Sequence, residues 1–223
     1  MNEQDGAPTG LDSAGDDTRR ALIAAGRALF ATQGFDGTSV RAITERAGVN
    51  LGAITYHFGS KRELYGAVLE AGLRPLADRV VAVGTGHGTA DERMSRVVAA
   101  YFDHFREHPD LPRLLLQEVA AGKEPPPVVA ETLQRVMAAL AELHGEGVEE
   151  GSMRPGDPLL TALSVVAQPI HMTLVAPLLK AFGGVDLLHP STRRSAVAHA
   201  TAFVRGGLRP DLVGGSTATE ETR

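Results

Sequence analysis

Residues 38–64 read TSVRAITERAGVNLGAITYHFGSKREL, and this stretch decides the fold. Val40, Ile43 and Ala47 recur at helical spacing, so they form the inward side of a short amphipathic helix that Thr38 is placed to cap. Gly48 then supplies the left-handed conformation that a tight turn requires. A third helix from about Leu51 to Tyr56 is too short to be stable alone, so Val49, Ile54 and Phe58 must anchor it. That leaves Asn50, Leu51, Gly52, Ala53, Thr55, Tyr56 and His57 on or near the outer side. Ser60-Lys61-Arg62-Glu63 is an S-x-x-E capping box that opens a fourth helix, followed inward by Leu64 and Val68. Two short helices joined at a glycine turn read as a helix-turn-helix that contacts DNA.

Upstream, residues 1–16 are rich in Gly, Asp, Ala and Ser and are expected to be a disordered acidic tail. Asp16 or Asp17 can cap a first helix in which Leu22, Ile23, Gly26, Leu29 and Phe30 share a stripe, and Gly34 ends it. Downstream, Pro75 is expected to kink or interrupt the fourth helix, and Gly84 to Gly88 to form a flexible loop. Thr89 to Glu92 is a second capping box, and Met94, Val97, Val98, Tyr101, Phe102 and Phe105 then form a helical stripe that His108-Pro109-Asp110 breaks. A short apolar helix from Leu111 to Ala121 follows. After Pro125-Pro126-Pro127 a further helix has Val129, Leu133, Val136, Met137, Leu140 and Leu143 inward.

Asp157-Pro158 opens a helix that runs to about Phe182 and is apolar nearly all round, with Pro169 and Pro177 expected to bend it. Such a helix must be buried on more than one side. The final helix, about Ser191 to Arg205, offers Val197, Ala200, Phe203 and Val204 for burial. These last two helices are the candidate homodimer interface. The tail after Pro210 is polar and expected to be disordered. The fold class is therefore all-α: a helix-turn-helix domain over 17–66 and a larger helical regulatory domain over 67–210, between tails at 1–16 and 211–223.

Composition agrees. Trp is absent and aromatics are 4%, so the core must be aliphatic and alanine-rich, which suits packed helices better than a sheet. The absence of cysteine rules out disulfides and thiolate metal sites. The net charge of −5 argues at first against a nucleic-acid partner, but residues 17–66 carry seven bases against four acids. A local DNA contact survives an acidic whole. No apolar run is read as approaching the ~20 residues of a membrane span, and the first residues lack a signal-peptide pattern. A cytoplasmic protein with no membrane partner is expected.

The motif resembles the TetR-type family of bacterial one-component transcriptional repressors. The pattern T-x4-I-x3-AGV-x2-G-x3-YHF-x2-K-x2-L is carried by Thr38, Ile43, Ala47, Gly48, Val49, Gly52, Tyr56, His57, Phe58, Lys61 and Leu64. The resemblance covers about fifty residues. It implies that the third helix enters the major groove, with Asn50 and Thr55 facing base edges and Leu51 and Ala53 able to touch a thymine methyl. It further implies that Arg41 reaches a base or a phosphate, that Gly52 gives clearance, and that Tyr56, His57 and Lys61 grip phosphates with help from Thr38. It also implies a C-terminal domain that binds a small ligand and forms the homodimer. Two reading helices about 34 to 36 Å apart, or a little more, would demand an imperfect palindrome.

Polar groups set in apolar helices are the candidates for the ligand pocket: His104, Gln117, Gln168 and His171, with Tyr101, Phe105, Met137 and Met172 as walls. They suggest a mostly apolar ligand. No catalytic residues and no cofactor are read. H-E-x-x-H is absent, and His104-x3-His108 is an i, i+4 pair with no obvious third metal ligand. The chain thus reads as a ligand-released repressor. The alternatives are an activator, a ligand-independent DNA-binding protein or, last, a helical metal-binding enzyme.

Overall fold

In the computed structural model of the protein the described residues are 10–122, 124–187 and 189–210. Among them lie nine helices and no strand. These are α1 (Gly10–Gly37), α2 (Val40–Ala47), α3 (Ala53–Phe58), α4 (Lys61–Gly84), α5 (Ala90–Glu107), α6 (Leu111–Ala121), α7 (Pro127–Glu149), α8 (Pro158–Gly183) and α9 (Pro190–Leu208). The all-α fold is the one expected. The tail expected after Pro210 lies outside the described residues, as do residues 1–9 of the N-terminal tail.

The rest of that N-terminal tail needs correction, because α1 already runs from Gly10. Asp17 therefore does not cap the helix but pairs with Arg20 one turn on, in solvent. Gly34 stops the regular helix as expected, with φ 73° and ψ 174°. Pro75 does not interrupt α4, which continues through it to Gly84.

The chain forms two compact units, the first made of the chain through Arg74 with Asp110–Ala130, the second of Pro75–Pro109 with the chain from Glu131 on. Compactness thus assigns α6 to the unit of the short helices, which a linear division at residue 66 cannot express. Leu22, Phe30, Ile43, Ile54, Leu64, Leu69 and Leu114 are fully buried in this first unit. Phe30 meets the Tyr65 ring edge-on at 4.9 Å. Three polar ties hold α6 there: Arg27 on α1 pairs with Asp110 through two hydrogen bonds, Tyr65 donates to Glu118 Oε1 at 2.7 Å, and Gln117 donates to the Ala31 carbonyl at 3.5 Å.

The second unit is built around α5. Its capping box is complete, with Thr89 Oγ1 accepting from the Glu92 N–H and Glu92 accepting from the Thr89 N–H. All six residues of the expected stripe are buried, from Met94 to Phe105. Arg93 is buried as well, donates to the Gly84 carbonyl at 2.8 Å and pairs with Glu146. On α7, Val136, Leu140 and Leu143 are inward, but Leu133 is half exposed, contrary to expectation.

Asp157 caps α8 by accepting from the Leu160 N–H at 2.9 Å. The helix has a mean hydropathy of 1.6 over its most apolar stretch, enough in length and composition to cross a membrane. This corrects the reading that no run approaches that limit, because Thr161, Ser164, Gln168, His171 and Thr173 interrupt the apolar side chains with only mildly polar ones. Ala162, Val165, Val166, Pro169 and Ala176 are its buried residues, whereas Leu159, Leu160, Leu163, Leu178 and Phe182 are exposed in the single chain. On α9, Ala196, Ala200 and Val204 are buried and Phe203 is 61% exposed, where burial was expected.

Candidate nucleic-acid interface

The short helices are built as the pattern demands, with α3 shifted two residues toward the C-terminus of the expected range. Gly48 adopts φ 69°, ψ 31°. Its N–H bonds the Glu45 carbonyl, and that of Val49 bonds Thr44 at 3.0 Å, closing α2 in a left-handed cap. Ser60 Oγ accepts from the Glu63 N–H at 3.2 Å and starts α4. Ile43 and Ile54 are fully buried, while Ala47, Val49 and Phe58 are only half-buried. Phe58 packs instead beneath the Arg19 guanidinium, 5.2 Å from the ring centre.

Asn50, Leu51, Gly52, Thr55 and Tyr56 are exposed together, Leu51 at 61% and Tyr56 at 85%. An exposed leucine in the turn before α3 and an exposed tyrosine on it cost solvation that a partner surface would recover. His57 is half-buried with its ring edge-on to Tyr56 at 4.9 Å. Arg41 is 80% exposed and pairs with Glu45 one turn on at 2.7 Å, an exposed contact weak enough to be exchanged for another anion.

Three candidates stand elsewhere than expected. Ala53 is 7% exposed and faces the core, because α3 begins at this residue and its first turn packs inward. Thr38 is 1% exposed and donates from Oγ1 to the Gly34 carbonyl at 2.7 Å. The cap of α2 is Ser39, whose Oγ accepts from the Ala42 N–H at 3.1 Å. Lys61 turns inward, where Nζ donates to the carbonyls of Phe35 and Thr38, both at 2.8 Å, and lies 4.2 Å from the Phe35 ring centre. Two adjacent hydroxyls at Thr38 and Ser39 were the signal for the true cap, and spacing alone could not choose between them.

Of the ligand candidates, Tyr101, His104 and Phe105 are buried on α5. Burial raises the Tyr101 phenol well above its ordinary pKa. Phe105 and Met172 come together on a narrow cavity of about 20 Å³ with Phe102, Ala176, Leu187 and Arg193. Met137 and Gln168 are half-buried, and His171 is exposed on α8. Gln117 faces α1 in the first unit instead, through the bond to Ala31 described above. A wider cleft of about 430 Å³ lies between α8 and α9, bordered by Arg154, Leu160, Ser164 and Phe203.

A short helix with an exposed polar and apolar face, carried on a capped turn and followed by a helical body, defines a helix-turn-helix transcriptional regulator. Residues 22–68 match the family model of bacterial regulatory proteins, tetR family, and residues 91–204 match the tetracyclin repressor-like C-terminal domain. The chain belongs to the TetR family. It is 26% identical over 199 residues to the HTH-type transcriptional regulator RutR of Escherichia coli K12, covering 86% of this chain and 91% of that protein. It is also 26% identical over 140 residues to the HTH-type transcriptional repressor KstR2 of Mycobacterium tuberculosis, covering 61% of this chain and 70% of the relative. The solved structure of KstR2 shares the fold with a TM-score of 0.71 at 22% identity, over 86% of this chain and 95% of that one. To the dual regulator CecR of Shigella flexneri identity rises to 47%, but over 51 residues, 23% of this chain and 22% of the relative. Regulators of this family bind DNA operators, dimerise and bind small-molecule effectors.

Proposed function

We propose that the protein is a cytoplasmic, effector-released repressor that binds a palindromic operator as a homodimer. The observation that carries this reading is the exposed set Asn50, Leu51, Thr55 and Tyr56 on and before α3, held outward by the burial of Ile43 and Ile54. Asn50 and Thr55 address base edges, Leu51 meets a thymine methyl, and Gly52 lets the backbone approach. Tyr56, His57 and Arg41 contact phosphate, Arg41 by leaving Glu45. Thr38 and Lys61 serve from within, holding the end of α1 against the start of α2, so that the phosphate-gripping backbone is correctly placed.

The homodimer forms through α8 and α9. Leu159, Leu160, Leu163, Leu178, Phe182 and Phe203 are exposed in one chain, a surface too apolar to be left to water. The effector enters the side of α5 marked by Phe105 and Met172, and its body is mostly apolar. The narrow cavity there has room for about one water molecule, so effector binding selects a wider form of the second unit. That form spaces or orients the two reading helices wrongly for the operator, with α4 carrying the change, and DNA affinity falls by the differential affinity of the effector.

Selection from random duplexes with the purified protein tests the reading. A two-fold-symmetric site is expected, together with affinity that falls as salt rises. Recovery of only unsymmetric or unrelated sequences would overturn the palindromic dimer.

A further inference from the structure

The last turn of α5 carries a cluster that DNA reading leaves unused. His104 and His108 are one turn apart, and Glu107 lies between them at i+3, positions that share one side of a helix. In the folded chain the two imidazole rings lie 4.4 Å apart, tilted by 30°. One donor atom each from His104, Glu107 and His108 falls within 4.8 Å of the other two. The spacing of the histidines alone offers no third ligand, and the folded helix end supplies it.

The cluster is held before any ion arrives. His104 is fully buried, and the His108 N–H donates to the His104 carbonyl at 2.8 Å, which closes the turn and couples the two imidazoles through helical backbone. Glu107 is oriented from outside: Arg79 on α4 donates to Oε2 at 3.1 Å, and Arg106 reaches Oε1 at 3.4 Å. An outer partner of this kind fixes a ligating carboxylate without using all its lone pairs. Tetrahedral bonds of about 2.0 Å place neighbouring ligand atoms about 3.3 Å apart. Closing to that spacing calls for movement of the half-buried His108 and the more exposed Glu107 toward the buried His104.

We infer that His104, Glu107 and His108 form a binding site for one divalent transition-metal ion, with water completing the coordination. Two imidazoles and one carboxylate suit zinc, nickel or copper, and do not suit calcium or magnesium, which take oxygen ligands. The chain has no cysteine to compete for the ion. The guanidiniums of Arg79 and Arg106 oppose a dication, so the site is one that responds to changing metal supply and not one that holds a permanent structural ion. It lies in the second unit, apart from the residues that read DNA.

The test uses the full chain, free of any histidine tag and treated with chelator, titrated with zinc by calorimetry and with copper(II) by electron paramagnetic resonance. One ion per chain is expected, with nitrogen hyperfine splitting from two imidazoles. His108→Ala should weaken zinc binding at least about tenfold and reduce the copper signal to one nitrogen. Glu107→Gln, on an exposed side chain, keeps the fold and should weaken zinc while leaving both nitrogens in the copper spectrum. Absence of saturable zinc binding would overturn the inference. So would unchanged affinity in both variants, which would place the ion on other histidines such as His171 or His189.

Discussion

Lys61→Met separates two readings of the same side chain. The family pattern makes Lys61 a phosphate contact, yet its ammonium donates to two main-chain carbonyls at 2.8 Å and lies over the Phe35 ring. Methionine preserves the stem and removes the charge. A hydrogen bond from a charged donor contributes about 1.5–3 kcal/mol and a partly desolvated cation–π contact about 0.5–2 kcal/mol. The contributions are not additive, and the side chain is only half-buried, so a net loss of about 2–3 kcal/mol is expected. With a urea slope of about 2–3 kcal/mol/M, the unfolding midpoint should fall by about 1 M. Operator affinity at low denaturant should fall as the start of α2 loosens, while the slope of log affinity against log salt changes by much less than the ~0.9 of one lost phosphate contact. A midpoint within error of wild type, with the salt slope reduced by a full contact, would refute the internal role and return Lys61 to the phosphates.

Asn50→Ala should change which sequences a random-duplex selection recovers; equal weakening on every sequence would deny it a base-reading role. Phe203→Glu places a charge on the exposed apolar face of α8 and α9, and sedimentation should then find the 23.5 kDa single chain where the wild type sediments as a dimer. Arg93→Met removes a buried donor from the Gly84 carbonyl at 2.8 Å and should cost about 2 kcal/mol in chemical denaturation. Tyr65→Phe loses the 2.7 Å bond to Glu118 and should cost about 1–2 kcal/mol. Because burial and Glu118 together raise the Tyr65 phenol far above its ordinary pKa, the phenol stays protonated in the folded chain well past that value. An unfolded phenol would already ionise there, so the hydroxyl's contribution is constant through neutral pH and is lost only on rising into strong alkali.

Features set by backbone conformation or by a long period were legible in the sequence. Gly48 stands where only a positive φ closes the turn, and the α5 stripe repeats over enough turns to define a single buried face. Capping at Thr89 and Asp157 was legible because the partner lies a fixed three residues away. What was not legible depended on choices between equivalent chemistries. Thr38 and Ser39 carry the same hydroxyl, and the burial of Thr38 under the Lys61 bridge decides which of them caps α2. A lysine stem reaches a carbonyl as easily as a phosphate. Leucines around the whole of α8 declare that the helix is apolar, but not that its own chain leaves Leu159, Leu163 and Phe182 uncovered. Residues 10–16 have the composition of a tail, yet they continue a helix whose later turns supply the packing.

The grouping of α6 with the short helices has a consequence for synthesis and for gene exchange. A fragment ending at residue 68 or 74 would lack Asp110, Gln117 and Glu118, and so the polar ties to Arg27, Ala31 and Tyr65 described above. It would also leave bare the apolar ground that Leu111 and Leu114 occupy. On the ribosome the first unit cannot close until about residue 130 has emerged, so the operator-reading end is finished only after α5 has been made. A chimaera that swaps specificity between relatives must therefore carry two pieces of chain, not one. The seam that looks natural in the sequence cuts through a fold still waiting for its second strand of the polypeptide.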